Sequence, residues 1–406
     1  MRNFPSQVVS DAEKISYEYG LKVAQAIEGE WFDENNKTTR HSQNKNNFHN
    51  LRSYARGEQS IQKYKDELSI NGDLSYLNLD WKPVPIISKF VDIVVNGIAE
   101  RMYDIKAYSQ DPFGVSKRTE YMDSVMEDMR GKELKTFVKE KFGLDLFNGN
   151  PTLLPDSQEE LDLHMQLNYK QAVEIAEEQA INVLLEGNKY ELTKKRFYHD
   201  LTVLGIGAVK TSFNTSEGVT VDYVDPSNLV YSYTENPYFE DIYYVGEVKT
   251  IPINELIKQF PHLSGEDLEE IQKKGSSSYD QRSRKNRDDN DTNKVDVLYF
   301  NYKTYMNEVY KLKETASGAN KAIGKDDSFD PGENENFSKT SRKIEVLYDG
   351  ALILSTKKLL KWEMAKNMMR PKSDFTKVKM NYAIVAPRMY EGRIDSLVKR
   401  ILVLLI

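Results

Sequence analysis

The sequence contains no cysteine and only five histidines. The lack of cysteine excludes disulfides, thiol nucleophiles and metal sites or clusters built on thiolates. No two histidines have the H-x-x-x-H spacing that binds zinc on a helix. We therefore expect neither a metal nor a cofactor. The histidines are His41, His49, His164, His199 and His262.

Long apolar runs are also missing from the chain. The longest is the final ILVLLI, residues 401–406, whereas a membrane-spanning helix needs about 20 apolar residues. The N-terminal segment MRNFPSQVVSDAEKISYEYG contains no apolar core of signal-peptide length. These absences predict a soluble, non-secreted chain that has no membrane partner.

The chain lacks an excess of basic residues. Its 63 acidic residues outnumber its 56 basic ones, which gives a net charge of -7. Proteins that grip DNA by its backbone are usually basic, so tight general binding of nucleic acid is not expected. An acidic protein can still let DNA slide past it. With 406 residues, 39% of them hydrophobic, the chain is predicted to be globular and to form about two domains.

The segment GIGAVK (205–210) is the one glycine motif that suggests a nucleotide site. Phosphate-binding glycine loops follow a strand and precede a helix. Here the preceding residues have helical patterning and the following ones alternate like a strand, with Lys210 inside that strand. A structural role is therefore favoured: Gly205 and Gly207 end the helix and allow close packing where the strand begins.

The first half of the chain has the 3.6-residue periodicity of helices. The residues at 86–102 carry an apolar stripe wide enough for a well-buried helix. Residues 35–50 are polar and without periodicity, so no helix is predicted there. The predicted helices cover 11–30, 51–68, 86–102, 161–185 and 191–204.

After Gly205 the pattern changes to alternating valine and tyrosine, which is typical of strands. Asp225-Pro226 has the composition of a turn, and Asp349-Gly350 that of a hairpin turn. The segments 273–294 and 314–341 are polar and of mixed charge, so they are predicted to be mobile insertions. Together these features predict an antiparallel sheet.

Carboxylates near the predicted strands leave an enzymatic alternative open. Such groups could hold the two metal ions of a nuclease, although they are also common in turns and exposed loops. We keep a metal-dependent phage nuclease that uses Asp222, Asp225 and Asp241 as an alternative. The carboxylates in question are Asp222, Asp225, Glu240, Asp241 and Glu247.

The order of the segments resembles the portal proteins of tailed bacteriophages, among them those of the crAss-like group. The resemblance begins with YARGEQSIQKY and NLDWKPVPIISKFVDIVVNGIAERM, and it continues through HDLTVLGIGAVKTSF and GVTVDYVDPSNLVYSY to YEGRIDSLVKRI. It covers roughly residues 50–265 and 380–406 and depends on order and pattern, since no single motif is diagnostic.

The resemblance implies a structural role without enzymatic activity. Portal proteins form a ring, usually a dodecamer, at one vertex of the capsid, and double-stranded DNA passes through its channel during packaging and ejection. The implied partners are other copies of the chain, the terminase large subunit, the major capsid protein or scaffold, and the head–tail adaptor. The implied location is the virion, with assembly in the host cytoplasm.

The predicted fold class is α+β, with a helical N-terminal half, an antiparallel wing-type sheet and the start of a stem helix. We expect an N-terminal helical region at 1–155, a wing domain at 156–386 and a truncated stem helix at 387–406. By itself this chain is then expected to be monomeric or to aggregate through its tail. A virion assembly adaptor that forms no ring is a further alternative.

The residues predicted to matter are structural. Gly205 and Gly207 form the helix-to-strand junction, Asp225 and Pro226 the turn in the sheet, and Gly392 the turn from wing to stem. If the stem lines a channel, Lys399 and Arg400 are candidate contacts to DNA phosphates, although a solvated helix face is the simpler interpretation.

Overall fold

The structure is a computed structural model that describes most of the chain. The prediction of an α+β fold is confirmed, with helices dominating the N-terminal half and antiparallel sheets following them. The described residues are 4–31, 39–58, 62–68, 85–100, 105–108, 111–150, 153–167, 169, 172–214, 218–274, 293–314, 320–326, 329–330 and 338–405.

The chain forms two compact units. One unit comprises Met1–Glu100 and Leu192–Ile406, and the other comprises Arg101–Glu191. These units have other bounds than the three regions predicted from the sequence, 1–155, 156–386 and 387–406. The division into those three regions stays a prediction.

The first unit begins with helices. These are α1 (Asp11–Ile15), α2 (Tyr17–Trp31), α3 (Arg40–Arg56), α4 (Gln62–Leu68) and α5 (Ile86–Ala99). The predicted helix at 11–30 is thus present, with a break at Ser16, whose backbone is extended.

Helix α3 corrects the sequence analysis, which predicted no helix over 35–50. Its start is capped by Thr39, whose side chain accepts a hydrogen bond from the Ser42 N–H, and its end by Gly57 in the left-handed conformation (φ 75°). Only a narrow face, which includes Phe48 and Ala55, is buried. So few apolar positions do not give the apolar periodicity that reveals most helices.

The strands of the first unit all pair antiparallel, and they follow helix α10 (Tyr190–Val203), which crosses the unit boundary at Leu192. The elements after α10 are β1 (Gly207–Asn214), β2 (Gly218–Val224), β3 (Leu229–Tyr231), β4 (Tyr244–Pro252), α11 (Ile253–Gln259), α12 (Gly265–Lys274), β5 (Lys294–Glu314), β6 (Asn320–Lys325), β7 (Ser338–Ile353), β8 (Leu359–Met364), β9 (Tyr382–Val385), β10 (Met389–Tyr390), β11 (Arg393–Ile394) and α13 (Leu397–Leu405).

The strands form a large and a small sheet, plus the β10–β11 hairpin. The large sheet has the order β3-β4-β5-β7-β8, and β6 pairs with the distal part of β5. The small sheet has the order β2-β1-β9. Strand β5 is the longest, and it continues with β6 and β7 into a three-stranded arm beyond the part that β4 and β8 cover.

Helix α2 packs against one face of the large sheet. Trp362 stacks on Tyr348 with ring centres 4.7 Å apart, and a Cβ on Gly20 of α2 would lie 2.4 Å from its Cγ atom. Glycine therefore allows α2 to approach the indole directly. The buried members of this core include Tyr19, Val23, Ala24, Ile27, Val230, Leu298, Phe300, Tyr302, Val346 and Leu352.

A second core holds the small sheet, the start of the large sheet, and residues of α3, α5, α10 and α13 together. Its buried members include Phe48, Val95, Val203, Leu204, Ile206, Ala208, Val224, Leu229, Val245, Ile384 and Val398. The large sheet thus has one core on the side of α2 and another that it shares with the small sheet. This second core is what positions the site described below.

The predicted hairpin turn at Asp349-Gly350 is wrong. Both residues lie inside β7, where Asp349 pairs with Asn301 and Gly350 with Phe300. A Cβ on Gly350 would lie 2.1 Å from the Phe300 ring, so glycine here makes room for an aromatic side chain on the neighbouring strand. The chain reverses later, between β7 and β8, where Lys357 has a φ of 55°.

The prediction of mobile insertions is corrected in part. Within 314–341 the structure places strand β6 and the first residues of β7, and both pair with β5. Within 273–294, the described residues are the end of α12 and the start of β5. The remaining residues of both segments lie outside the described part of the chain.

Helix α5 is less buried than its apolar stripe predicts. Val91 and Val95 are buried, but Ile86, Phe90 and Ile93 are 56%, 54% and 66% exposed. These three residues follow the i, i+4, i+7 spacing of one helix face. An apolar helix face of the first unit therefore lies in contact with solvent.

The second unit contains the helices α6 (Pro112–Arg130), α7 (Lys132–Phe142), α8 (Gln158–Leu167) and α9 (Ala172–Gly187). The predicted helix at 161–185 corresponds to α8 and α9. Its core contains Val125, Leu161 and Met165. The buried Asp128 carboxylate accepts hydrogen bonds from the backbone N–H groups of Asn148 (2.9 Å) and Gly149 (3.2 Å), which holds the loop after α7.

Candidate functional site

The junction between α10 and β1 is built on the two glycines that the sequence singles out. Gly205 has a φ of 82°, and a Cβ there would lie 2.3 Å from the carbonyl oxygen of Asp395. A Cβ on Gly207 would lie 2.6 Å from the Phe197 ring. The segment that leads into α13 therefore packs directly on the backbone of Gly205. The order helix, glycines, strand is as predicted.

The turn before α13 is also tightly packed. Glu391 and Gly392 connect β10 to β11 with φ values of 47° and 70°, and a Cβ on Gly392 would lie 2.7 Å from the Tyr233 ring. The Ser396 hydroxyl then accepts a hydrogen bond from the Lys399 N–H (3.0 Å) at the start of α13. Val398 is fully buried in the core shared by the two sheets.

Lys399 and Arg400 lie on the exposed side of α13, opposite to Val398. Arg400 donates a hydrogen bond from Nε to the carboxylate of Asp395. The Lys399 ammonium has no ion pair among the described residues. The base of α13 is therefore fixed by one buried apolar residue and one cap, and it presents two cations to solvent. We call residues 391–400 the α13 base.

Asp225 and Pro226 lie between β2 and β3, where Pro226–Asn228 form a short 3-10 helix. The Asp225 carboxylate accepts a hydrogen bond from the Ser227 N–H (2.9 Å) and caps this turn. It also accepts hydrogen bonds from both terminal nitrogens of Arg52, at 3.0 Å from Nη1 and 2.8 Å from Nη2. A bidentate arginine of this kind fixes geometry as well as charge.

Arg52 connects three elements. From α3 it reaches Asp225 after β2, and it donates to the Asp200 carboxylate of α10 at 3.1 Å. Asp200 is buried, and its second oxygen accepts a hydrogen bond from the Tyr223 hydroxyl. We call Arg52, Asp200, Tyr223 and Asp225 the Arg52 brace.

Burial and charge act against each other within the Arg52 brace. Burial by itself would raise the pKa of Asp225, but the hydrogen bonds and charge of Arg52 bring that pKa below its usual value. Burial, and then the charges of Asp200 and Asp225, raise the pKa of the Tyr223 hydroxyl. At neutral pH Arg52 is therefore a cation, Asp225 a carboxylate and Tyr223 a protonated phenol.

The brace lines an open cleft of about 480 Å³. Lys195, Arg196 and His199 of α10 add cationic or titratable groups to its wall, and Val95 of α5 adds an apolar one. The Arg196 guanidinium lies 5.5 Å from the centre of the Tyr223 ring. Because both brace carboxylates already accept hydrogen bonds from Arg52, the arrangement is suited to holding α3, α10 and the β2–β3 turn together.

The aspartates of the nuclease alternative have separate partners. Asp222 pairs with Lys210 across β1 and β2, Asp225 accepts from Arg52, and Asp241 accepts a hydrogen bond from the Thr234 hydroxyl. Among the residues that the structure describes, no three carboxylate or histidine side chains are grouped so that they could hold a metal ion. The structure thus does not bring this candidate metal site together.

A polar cluster between the two sheets was not anticipated from the sequence. The Lys210 ammonium lies 5.2 and 5.0 Å from the centres of the Tyr299 and Tyr382 rings. Burial lowers the pKa of Lys210 and raises the pKa values of the Glu247 and Asp349 carboxyls. The attraction between the lysine and these carboxylates acts against each of these shifts. The one available signal was a lysine within the otherwise apolar start of β1. The cluster places compensating charges between the sheets.

His41 is a buried histidine on α3. Its ring lies edge-on to Tyr231, with centres 5.1 Å apart. Its Nε2 atom has no hydrogen-bond partner among the residues that the structure describes. Burial, followed by the positive charge of Arg40, lowers the pKa of His41 to about 3. The folded protein therefore holds a neutral imidazole at pH values where an exposed histidine is charged.

This histidine predicts a loss of stability in mild acid. A folded-state pKa of about 3 lies below the ordinary value of 6.5, so between these values the unfolded chain binds a proton that the folded chain does not. The free energy of unfolding should fall by about 2 kcal/mol between pH 7 and pH 5 because of His41. Urea unfolding at both pH values should show that the free energy of unfolding of His41→Gln falls by about 2 kcal/mol less than that of the unchanged protein. An equal fall in the variant and the unchanged protein would contradict the low pKa of His41.

Comparison with known proteins adds no identification. A scan against protein-family models finds no match, and a search of curated proteins finds no similar sequence. Within the described residues, no helix combines the length and apolar character required to cross a bilayer.

Proposed function

We propose that this chain is a structural subunit of the portal ring of a tailed bacteriophage. In this role it forms part of the conduit at the capsid vertex through which DNA is packaged and ejected. The proposed partners are other copies of the chain, the terminase large subunit, the capsid protein or scaffold, the head–tail adaptor and the passing DNA. The resemblance in segment order supports the proposal together with the geometry of the α13 base.

The observation that carries the proposal is the rigid base of α13. A stem helix that lines a conduit has to leave the wing at a fixed angle, because neighbouring copies must present it in the same way. The α13 base meets this requirement through the backbone contact of Asp395 with Gly205, the Gly392 turn against Tyr233 and the buried Val398. In the ring we assign the role of phosphate contacts to Lys399 and Arg400.

The exposed apolar face of α5 favours assembly over a free monomer. Ile86, Phe90 and Ile93 form one stripe that is more than half exposed. Burial of such side chains gives about 25 cal/mol per Å², and contiguous exposed apolar surface often marks a protein interface. In the proposed ring, a neighbouring copy covers this stripe.

The mass of the assembled protein tests the proposal. We expect the complete product of the gene to form a closed particle of about twelve subunits in mass photometry, the number that the portal resemblance implies. The variant Phe90→Asp, which places a charge in the α5 stripe, should shift the population toward monomer. Its matched control is Lys89→Gln, which makes the same change of one unit in net charge at the neighbouring position of the same helix. A complete product that stays monomeric in virion-assembly conditions would favour the adaptor without a ring and would contradict the portal proposal.

A further inference from the structure

The cleft that the Arg52 brace lines has a wall of cationic and titratable groups from α10. Lys195, Arg196 and His199 of this helix line it together with the brace and Val95, and we call it the α10 cleft. Successive residues of a helix are about 100° apart around its axis. The three residues of α10 therefore lie within an arc of about 100°, with His199 between the other two, and they face the cleft as one group.

The two cations of this wall have no carboxylate partner. Among the residues that the structure describes, Lys195 forms no ion pair, not even with Glu191 one helical turn before it. The Arg196 guanidinium lies 5.5 Å from the centre of the Tyr223 ring, and within the same part of the chain it forms no ion pair either. Both positive charges are thus available to a partner that enters the cleft.

The carboxylates of the α10 cleft are engaged by Arg52. Asp200 has a side chain that is only 4% exposed, and it accepts hydrogen bonds from Arg52 and from the Tyr223 hydroxyl. Asp225 is 33% exposed and accepts both terminal nitrogens of Arg52 as donors. The His199 Nδ1 atom lies 3.8 Å from the Asp200 carboxylate. With the two cations of α10, the described lining contains three cations and two carboxylates, so it is positive even when the histidine is neutral.

The donors of the α10 wall suit a phosphate group better than a carboxylate. A phosphate monoester carries a charge of about -1.5 to -2 at pH 7 and three acceptor oxygens, whereas a carboxylate has one charge and two oxygens. The wall offers an ammonium, a guanidinium and an imidazole within about one helical turn. The planar fork of arginine also matches the geometry of phosphate oxygens.

The size and the other walls of the cleft indicate a small organic molecule. Its volume of about 480 Å³ lies within the range of about 300–1,000 Å³ that is usual for small-molecule sites. Val95 of α5 and Tyr223 of β2 add an apolar and an aromatic surface, and surfaces of this kind line most such sites. A DNA duplex is too large to enter a cleft of this volume.

We propose that the α10 cleft binds the phosphate monoester of a small organic molecule. The phosphate contacts Lys195, Arg196 and His199, and the organic part lies against Val95 and Tyr223. The Arg52 brace keeps the carboxylates of the cleft paired, so they do not compete with the ligand for the cations of α10. Binding here requires no ring and does not depend on the portal proposal.

Saturation-transfer NMR with phenyl phosphate tests the α10 cleft. We expect saturable binding that weakens as salt is added, because salt screens exposed charges. Inorganic phosphate should compete more weakly, since it has no organic part to contact the apolar and aromatic walls. Benzoate, which has the same ring and a carboxylate in place of the phosphate, should also bind more weakly.

A matched pair of lysine variants tests the location of the phosphate. Lys195→Gln removes a cation from the cleft, and Lys258→Gln removes one from an exposed position of α11 that does not line it. We expect Lys195→Gln to weaken phenyl phosphate binding by about fivefold and Lys258→Gln to leave it unchanged. Lys195 donates no hydrogen bond to the Arg52 brace, so urea unfolding of both variants should match that of the unchanged protein.

Three results would overturn the proposal. One is the absence of saturable phenyl phosphate binding by the folded protein. Another is equal weakening by Lys195→Gln and Lys258→Gln, which would show that the ligand binds elsewhere. The third is binding of benzoate as tight as that of phenyl phosphate, which would assign the cleft to a carboxylate. Each of these results leaves the portal proposal intact, because none of them concerns assembly.

Discussion

Replacing Arg52 with alanine is expected to lower the free energy of unfolding by about 3 kcal/mol. The change removes the cation from the Arg52 brace and leaves the carboxylates of Asp200 and Asp225 with only their neutral donors, the Tyr223 hydroxyl and the Ser227 N–H. Removing one partner from a buried ion pair usually costs about 3–5 kcal/mol. We take the lower end because the Arg52 side chain is 22% exposed. Urea unfolding followed by tryptophan fluorescence measures the change.

Arg56→Ala is the matched control on the same helix. Arg56 and Glu58 form an ion pair of 3.6 Å in which both side chains are 60% exposed. Exposed pairs contribute up to about 1 kcal/mol. If Arg52→Ala costs no more than Arg56→Ala, the Arg52 brace does not hold the elements together as described.

A second large effect is expected at Gly205. With a φ of 82° and a Cβ position 2.3 Å from the Asp395 carbonyl oxygen, alanine is unfavourable here for two reasons. A left-handed backbone costs a non-glycine residue about 1–2 kcal/mol, and forced overpacking adds about 1–3 kcal/mol. Gly205→Ala should therefore destabilise the protein by about 2–5 kcal/mol and displace the α13 base. Thermal unfolding gives the first quantity, and amide hydrogen exchange of residues 394–400 reports the second.

Gly218→Ala separates the two causes. Gly218 also has a positive φ, of 76°, but no atom of the described part of the chain lies within 4 Å of its Cβ position. Alanine there should cost only the backbone preference and should leave exchange at 394–400 unchanged. Equal exchange in the two variants would show that Gly205 does not support the α13 base.

The sequence correctly predicted those structural elements that are determined by residues close together in the chain. The order of α10, Gly205, Gly207 and β1 follows from a change of hydrophobic period at two glycines. The turn at Asp225 could be predicted because proline and aspartate favour turns wherever they occur.

The errors have non-local causes. An aspartate–glycine pair usually marks a hairpin, but Gly350 makes room for the Phe300 ring, 50 positions earlier in the chain. Helix α3 is polar except for a narrow apolar face. That face packs into the core shared by the two sheets, and this packing stabilises the helix. In both cases tertiary packing outweighed the local preference.

The sites themselves were the least predictable part. Arg52 lies 148 positions from Asp200 and 173 from Asp225, and nothing in the local sequence of α3 indicates a partner.

An electron cryomicroscopy reconstruction of the complete gene product tests the portal proposal most directly. We expect a closed ring in which α13 faces a central channel, Lys399 and Arg400 point toward the lumen, and the α5 stripe contacts a neighbouring copy. A reconstruction in which the copies form no closed ring, or in which α13 lies on the outside of one, would contradict the portal assignment.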